Sequence, residues 1–360
     1  MQHIVTTAPS LEDSCARLAR EARIGLDTEF LRERTYHARL CLVQLSAPAE
    51  ALCVDPLALG QLAPLAALLS SPGTVKVMHA SRQDLEVLFP VAGLTRPVFD
   101  TQIAAALAGF PAQVGYAELA RRLLQRELPK SHTRTDWSRR PLSLEQIDYA
   151  LDDVRYLLPL AAELEMRLAA LGRLGWLAEE LAALEETRDF TVDPDAAWQR
   201  VRGLRGLDPA RERLARELGA WRERRAREHD RPRGWILDDS ALREIVLRVP
   251  RTVAELAAIG DLPPGVVRHS ATELLACVTA AGVPHPPPPA PPKPPSDPQR
   301  HALLRKLAAI SQTAASELAL VPEVLVTRRE LELLADGRRD GAVLRGWRRA
   351  VLGERLLAAL

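Results

Sequence analysis

Five side chains in this sequence have types and spacings that could do chemistry: Asp27, Glu29, Asp84, Tyr149 and Asp153. The first two lie in Ile-Gly-Leu-Asp-Thr-Glu-Phe, residues 24–30, which reads as a β-strand. Alternation sends Leu26, Thr28 and Phe30 to one face and Gly25, Asp27 and Glu29 to the other. At about 3.3 Å of rise per residue the two carboxylates stand roughly 7 Å apart on one side. Apolar neighbours imply partial burial, and two buried like charges are costly unless something positive sits between them. A divalent cation, which takes carboxylate oxygens, meets that need. An exposed edge strand with a polar face is the plainer alternative. Asp84 falls in the first turn of a helix, where a lone acid usually serves the helix dipole. Tyr149 and Asp153 are four apart on a helix and share one face, while Asp148 and Asp152 point elsewhere. Taken singly, none of these acids needs to be part of a site.

The elements that would position them follow from periodicity. Residues 39–46 read as a second strand antiparallel to the first, 51–55 as a third, 74–79 as a fourth and 98–100 as a short fifth. Helical spacing appears over 61–70, and again after Ser81, a suitable N-cap, to about Phe89. Helices continue through about residue 128. Residues 143–187 look helical, opened by Ser143 and Gln146 in a capping-box pattern and broken near Gly172 and Gly175. Strands come first and helices later, which predicts an α/β or α+β domain with a mixed sheet. Residues 198–281 are again helical. Residues 284–295 are nearly all proline and predict a polyproline II spacer. Residues 299–360 are helical and basic.

The chain has 360 residues, room for two or three domains. With 47% hydrophobic residues but only 4% aromatics, its cores must be built mainly of Leu, Ala and Val. The net charge of +1 conceals an uneven distribution. Residues 1–165 carry 17 Lys+Arg against 20 Asp+Glu, net −3; residues 198–235 carry 12 against 6, net +6; residues 299–360 carry 11 against 7, net +4. The acidic part suits a metal site and the basic parts suit a polyanion. Cys15, Cys41, Cys53 and Cys277 have neither zinc nor redox spacing and read as buried, reduced thiols. No signal peptide and no run of 18 apolar residues is visible, so a soluble cytoplasmic protein is expected.

In chain order the five residues form a pattern. Asp27-x-Glu29 on a strand, then His79-Ala-x-x-x-Asp84-Leu, then Tyr149-x-x-x-Asp153 on a late helix, resembles the DEDD exonuclease superfamily in its tyrosine branch. The resemblance to the bacterial ribonuclease D family is closer still. It is carried by Ile24–Phe30, Leu42-Val-Gln-Leu-Ser46, Asp100-Thr-Gln-Ile, Arg134-Thr-Asp-Trp137, Arg140-Pro-Leu and Tyr149–Leu158. Residues 198–281 resemble an HRDC domain, a helical nucleic-acid-binding module. Its carriers are Trp198-x-x-Val-x-Gly, Trp221-Arg-Glu, Asp230-Arg-Pro-Arg-Gly-Trp-Ile-Leu, Pro250 and Leu256–Leu262. Val326-Thr-Arg-Arg-Glu-Leu and Gly346-Trp-Arg-Arg give residues 299–360 the look of a second, degenerate copy.

The resemblance implies an α/β ribonuclease H-like exonuclease domain over 1–190. It further implies a first HRDC helical domain over 191–282, a Pro-rich linker over 283–298 and a second HRDC-like helical domain over 299–360. It implies a metal-dependent 3′→5′ exoribonuclease that trims precursor tRNA and other small structured RNAs to release 5′-mononucleotides. Asp27, Glu29, Asp84 and Asp153 would hold two divalent ions, Mg²⁺ or Mn²⁺, with Asp27 as the bridge. Tyr149 would orient the attacking water, since a phenol with a pKa near 10 is a poor base at neutral pH. Thr28, His79, Arg222, Arg224, Arg225 and Arg227 are weaker picks for contact with RNA, and the chain is expected to be a monomer. The helical parts are expected to grip rather than catalyse, so residues 1–190 would suffice for short strands. A DNA 3′→5′ exonuclease and a non-catalytic nucleic-acid-binding protein on a nuclease fold are the competing readings.

Overall fold

Residues 23–31 alternate apolar and polar side chains along a continuous strand, and the fold places that strand inside a sheet rather than at its edge. The computed structural model describes residues 4–128, 135–185, 193–204, 206–284 and 298–360. The proline-rich spacer and Arg134 fall outside the described residues. The chain divides into two compact units. One comprises Met1–Phe30, Leu40–Phe190 and Ser296–Leu360, the other Leu31–Arg39 and Thr191–Pro295.

The first unit holds strands β1 (Ile4–Val5), β2 (Arg23–Leu31), β3 (Arg39–Ala47), β4 (Glu50–Val54), β5 (Val75–Met78) and β6 (Val98–Asp100). Their order is β1-β4-β3-β2-β5-β6. β3 and β4 pair antiparallel, whereas β1–β4, β2–β5 and β5–β6 are parallel. This is the expected mixed sheet, with β2 interior, so the edge-strand alternative for Asp27 and Glu29 falls. The two-residue β1 is too short to leave a periodic signal.

Helices α1 (Ala8–Leu18), α2 (Ala63–Ser70), α3 (Arg82–Ala92), α4 (Thr101–Leu107), α5 (Tyr116–Leu124), α6 (Leu144–Arg155), α7 (Leu157–Ala170) and α8 (Leu174–Leu184) belong to the same unit. The capping box at Ser143 and Gln146 opens α6. Asp100 caps α4 by accepting from the Gln102 and Ile103 N–H groups. Gly172, at φ +69°, takes the left-handed turn between α7 and α8 that a side chain would resist. Gly175 lies inside α8 instead of breaking it. Lys76 is fully buried, and its ammonium donates to the carbonyls of Ser71, Thr74 and Arg96. That explains why a lysine is tolerated in the sheet.

The second unit is helical: α9 (Pro209–Glu228), α10 (Arg233–Ile236), α11 (Asp239–Arg248), α12 (Val253–Ala257) and α13 (Pro264–Ala280). Its core is Leu214, Leu218, Trp221, Leu242, Ile245, Leu256 and Leu274 with their neighbours. Gly219 lets α9 approach Trp198 closely; a Cβ there would lie 2.8 Å from Trp198 Cβ. Segment 31–39, which follows β2 in the chain, belongs to this unit, and its Tyr36 hydroxyl bonds the buried Glu223 carboxylate.

Residues 298–360 form α14 (Pro298–Glu317), α15 (Pro322–Leu325), α16 (Arg328–Ala335) and short turns after them. They are helical, as the sequence suggests, but they share one apolar core with the sheet domain. Leu307, Leu325, Leu331, Trp347 and Leu352 pack in the same cluster as Val77, Leu107, Leu160 and Leu177. Trp347 stacks on Trp176 with ring centroids 4.5 Å apart and 11° between planes. Its indole N–H donates to Glu180 at 2.8 Å, and Arg348 pairs with the same carboxylate. The Arg173 guanidinium donates to Leu107 O and Leu318 O, tying α4 to the end of α14. Among the described residues no helix is long and apolar enough to cross a membrane.

The shared core changes the expectation for a shortened chain. Ending it near residue 190 strips an apolar layer from α4, α7 and α8, so the fragment should aggregate or melt without cooperativity. In the full chain, Trp347→Ala should cost about 3–5 kcal/mol by denaturant titration, as for other buried large aromatics. A fragment that melts cooperatively near the temperature of the full chain would show that these helices are dispensable to the core.

Candidate active site

Asp153 is brought to β2 by three hydrogen bonds of two hydroxyl groups. The Ser46 hydroxyl on β3 donates to Val154 O at 2.8 Å. The Tyr116 hydroxyl donates to Asp152 O and accepts from the Tyr156 N–H, each at 3.0 Å, at the junction of α6 and α7. The Ser46 contact needs Gly25: a Cβ there would lie 2.2 Å from Ser46 Oγ and 3.1 Å from Val154 O. Asp84 enters from the first turn of α3. Its Oδ1 accepts from the Thr28 hydroxyl at 2.5 Å, across the top of β2. The turn before α3 is held by Asp100, which accepts from the Ala80 and Ser81 N–H groups and the Ser81 hydroxyl. Ala80 sits there at φ +54°, a left-handed conformation that costs a residue with a side chain about 1–2 kcal/mol.

Tyr149 is placed from its other side. Trp137 is buried and stacks on it, with ring centroids 6.2 Å apart and 28° between planes. The Trp137 segment is pinned by Arg140, which grips the Asp55 carboxylate at 2.6 and 2.7 Å and also donates to Trp137 O and Cys41 O. Burial raises the Asp55 carboxyl, but the guanidinium outweighs it and the net shift is downward. The Tyr149 hydroxyl bonds the Asp153 carboxylate.

Electrostatics bind the acids into one group. Asp27 is pushed well above the usual carboxylate range by burial, then by Asp84, Asp153 and Glu29. Burial, Asp153 and Asp84 raise Glu29 to about 8. Burial, then Asp152, raise Asp153 to about 7. Burial raises Asp84 to about 6, against the Thr28 hydrogen bond. The Tyr149 phenol is raised by burial and then by Asp153, Glu29 and Asp27, which removes it further as a base. Among the described residues, no lysine or arginine figures among the groups acting on these four carboxyls. Nor do three of the described His, Cys, Asp or Glu side chains already converge as a ligand cluster. The donor set is nevertheless all oxygen and anionic, the chemistry that fits a hard divalent cation.

The weaker sequence picks fare differently. The Thr28 side chain is spent on Asp84, leaving only its backbone for a nucleotide. His79 has both ring nitrogens engaged, Nδ1 with Thr101 Oγ1 at 2.9 Å and Nε2 with Val114 O at 3.0 Å, which makes it a core histidine. Arg222 is 4% exposed and donates to Leu237 O and Asp239, so its guanidinium is structural and closed to RNA. Arg225 pairs with Glu273, and Arg227 lies over the Tyr36 ring at 5.7 Å. Arg224 is exposed. Sequence reasoning quoted Gly25, Ser46, Trp137 and Arg140 as motif letters without a role, and gave Asp55 and Tyr116 none. Their roles depend on partners far along the chain.

Two outcomes follow. Gly25→Ala should destabilise the protein by about 1–3 kcal/mol through overpacking. In a Ser46→Ala background the cost should shrink, because the nearest clash is gone. Additive costs would show that the two residues are not coupled. The second concerns pH. Glu29, Asp153 and Asp84 have folded values of about 8, 7 and 6, above the unfolded values near 4. The folded metal-free chain therefore binds more protons than the unfolded one, and its stability falls as pH rises through that window. Melting in chelator and in excess Mg²⁺ should give curves that separate progressively from about pH 5.5 to 8, since the cation replaces the lost protons. A separation independent of pH would contradict this.

Comparison with known proteins gives the family. Residues 2–169 match the model of a family described as 3′-5′ exonuclease, and residues 211–278 match the HRDC domain. The ribonuclease D of Jannaschia sp. is 40% identical over 100% of this chain and 95% of its own length. That of Xanthomonas oryzae pv. oryzae is also 40% identical, over 100% of this chain and 99% of its own. The crystal structure of Escherichia coli RNase D, described as an exoribonuclease involved in structured RNA processing, superposes with a TM-score of 0.89. It is 30% identical and the match covers 100% of this chain and 98% of that one. An interior strand bearing Asp27 and Glu29, with Asp84 and Asp153 folded against it, thus sits in a chain that belongs to the ribonuclease D family of 3′→5′ exoribonucleases.

Proposed function

We propose that this exoribonuclease trims the 3′ ends of precursor tRNA and other small structured RNAs, releasing 5′-mononucleotides with the aid of two divalent ions, Mg²⁺ or Mn²⁺. The observation that carries the reading is a group of neighbouring carboxyls in which Asp84 and Asp153 raise Asp27 and Glu29, and on which no lysine or arginine among the described residues acts. Asp27, Glu29, Asp84 and Asp153 would hold the ions, with Asp27 shared between them. When bound, such ions supply the acidity for water activation and neutralise charge on the leaving 3′ oxygen. The Thr28 hydroxyl keeps Asp84 turned toward β2. Tyr149, braced by Trp137, orients the attacking water with its hydroxyl and takes no proton. The backbone of Thr28 would meet the terminal nucleotide. Arg224 offers a phosphate contact on the helical unit. A structured substrate is supported by the similarity to the Escherichia coli enzyme. The same reading has the chain act as a monomer in the cytoplasm.

The test is digestion of matched 5′-labelled RNA and DNA by the full chain with Mg²⁺ or Mn²⁺. RNA should shorten stepwise from its 3′ end, and faster than DNA. Tyr149→Phe should lower the single-turnover rate by about 10²–10⁴-fold, the range for positioned proton-handling groups. Metal affinity and RNA affinity should change little. An unchanged rate would reduce Tyr149 to a packing residue, and DNA cut as fast as RNA would contradict the substrate class.

A further inference from the structure

Gln44 on β3 is fully buried, and neither Nε2 nor Oε1 has a hydrogen-bond partner among the described residues. Buried amides are ordinarily paired, so this one calls for an explanation. Its direction follows from strand pairing. Because a Cβ on Gly25 would lie 2.2 Å from Ser46 Oγ, Gly25 and Ser46 face each other on one side of neighbouring strands β2 and β3. The two strands form a hairpin through the short segment 32–38 and so run antiparallel. Two residues on from Gly25 is Asp27, and two back from Ser46 is Gln44. Asp27 and Gln44 are therefore directly opposed, with Cβ atoms about 4.5–5.5 Å apart. On its other side Gln44 pairs with Cys53 of β4, whose thiol is acted on by Glu29. The amide is thus enclosed on the acid-bearing face of the sheet.

We infer that Gln44 is a positioning residue for the divalent-ion site: its Nε2–H, unpaired in the metal-free chain, donates to the Asp27 carboxylate when the ion is bound and fixes the orientation in which the remaining lone pairs meet the ion. This rests on reading the acid cluster as a cation site. An ionised carboxylate is an acceptor only, with about four lone-pair sites, and it rotates unless a donor pins it. A lysine in that place would compete with the ion for charge; a neutral amide does not. Partners that orient ligating carboxylates in this way are worth about 10–100-fold in metal affinity.

Calorimetric titration of the full chain with Mn²⁺, beside melting of the metal-free protein, separates this role from packing. Gln44→Leu removes the amide, and Gln44→Met removes it while keeping the length. Both should raise the Kd for Mn²⁺ by about 10–100-fold. Neither should lower the metal-free melting temperature, because an unpaired amide gives way to an apolar group. An unchanged Kd overturns the inference. So does a metal-free melting temperature lowered in both variants, or a failure of both to fold, either of which makes Gln44 structural. A wild-type chain that takes up no Mn²⁺ overturns the cation-site reading itself, and the inference with it.

Discussion

Four neighbouring carboxyl groups, three of them half-buried and Asp84 buried, with no lysine or arginine among the described residues acting on them, are the constraint on which the rest of this structure depends. Burial raises the proton affinity of Asp27 and Glu29, and the charges of Asp84 and Asp153 raise it further. Such a group does not stay together unaided. Here β2 fixes Asp27 and Glu29 by alternation, while Asp84 and Asp153 are carried in from α3 and α6. The junctions that carry them are fastened by neutral hydroxyls, those of Thr28, Ser46, Tyr116 and Ser81. Hydroxyls can hold backbone and carboxylate in place without cancelling the charge. An arginine in the same position would stabilise the empty site and take the place of the cation.

The helical unit shows the opposite use of charge. Its arginine excess looks, in the sequence, like a surface made for phosphates. In the fold much of it is consumed internally. Arg222 is buried against Leu237 O and Asp239; Arg233 grips Glu223, itself almost fully buried; Arg211 is enclosed beside Asp208. Arg227 and Arg233 flank the Tyr36 ring at 5.7 and 4.7 Å. Net charge over a segment counts groups without asking which ones reach solvent. Binding to a polyanion depends on the exposed remainder, such as Arg224.

Much of this was legible beforehand because it is local. Two carboxylates on alternate residues of a strand, a capping box at Ser143, a tyrosine and an aspartate one helical turn apart, and a glycine near the end of α7 are all short-range patterns. The mixed sheet followed from strands that precede helices. What escaped depends on partners distant in sequence. Gly25 is small because Ser46 must pass it to reach Val154, and Trp137 matters because it stacks on Tyr149. Arg140 reaches back to Asp55. The packing of residues 298–360 into the sheet domain's core left no local trace either, since Leu and Ala at helical spacing look alike whatever they pack against. His79 was ambiguous for the same reason; only the positions of Thr101 and Val114 decide it.

The claim that unites these observations is that the carboxyl cluster exists to hold divalent cations. The most direct measurement is the number of Mn²⁺ ions bound per chain at neutral pH, counted from the loss of the free-ion electron paramagnetic resonance signal, in wild type and in Asp27→Asn. On the proposed reading, in which Asp27 is shared between two sites, the wild-type chain should take up two ions. The variant should bind at most one, and weakly, while remaining folded. Binding of two ions by the variant with unchanged affinity, or none by the wild type, would contradict it.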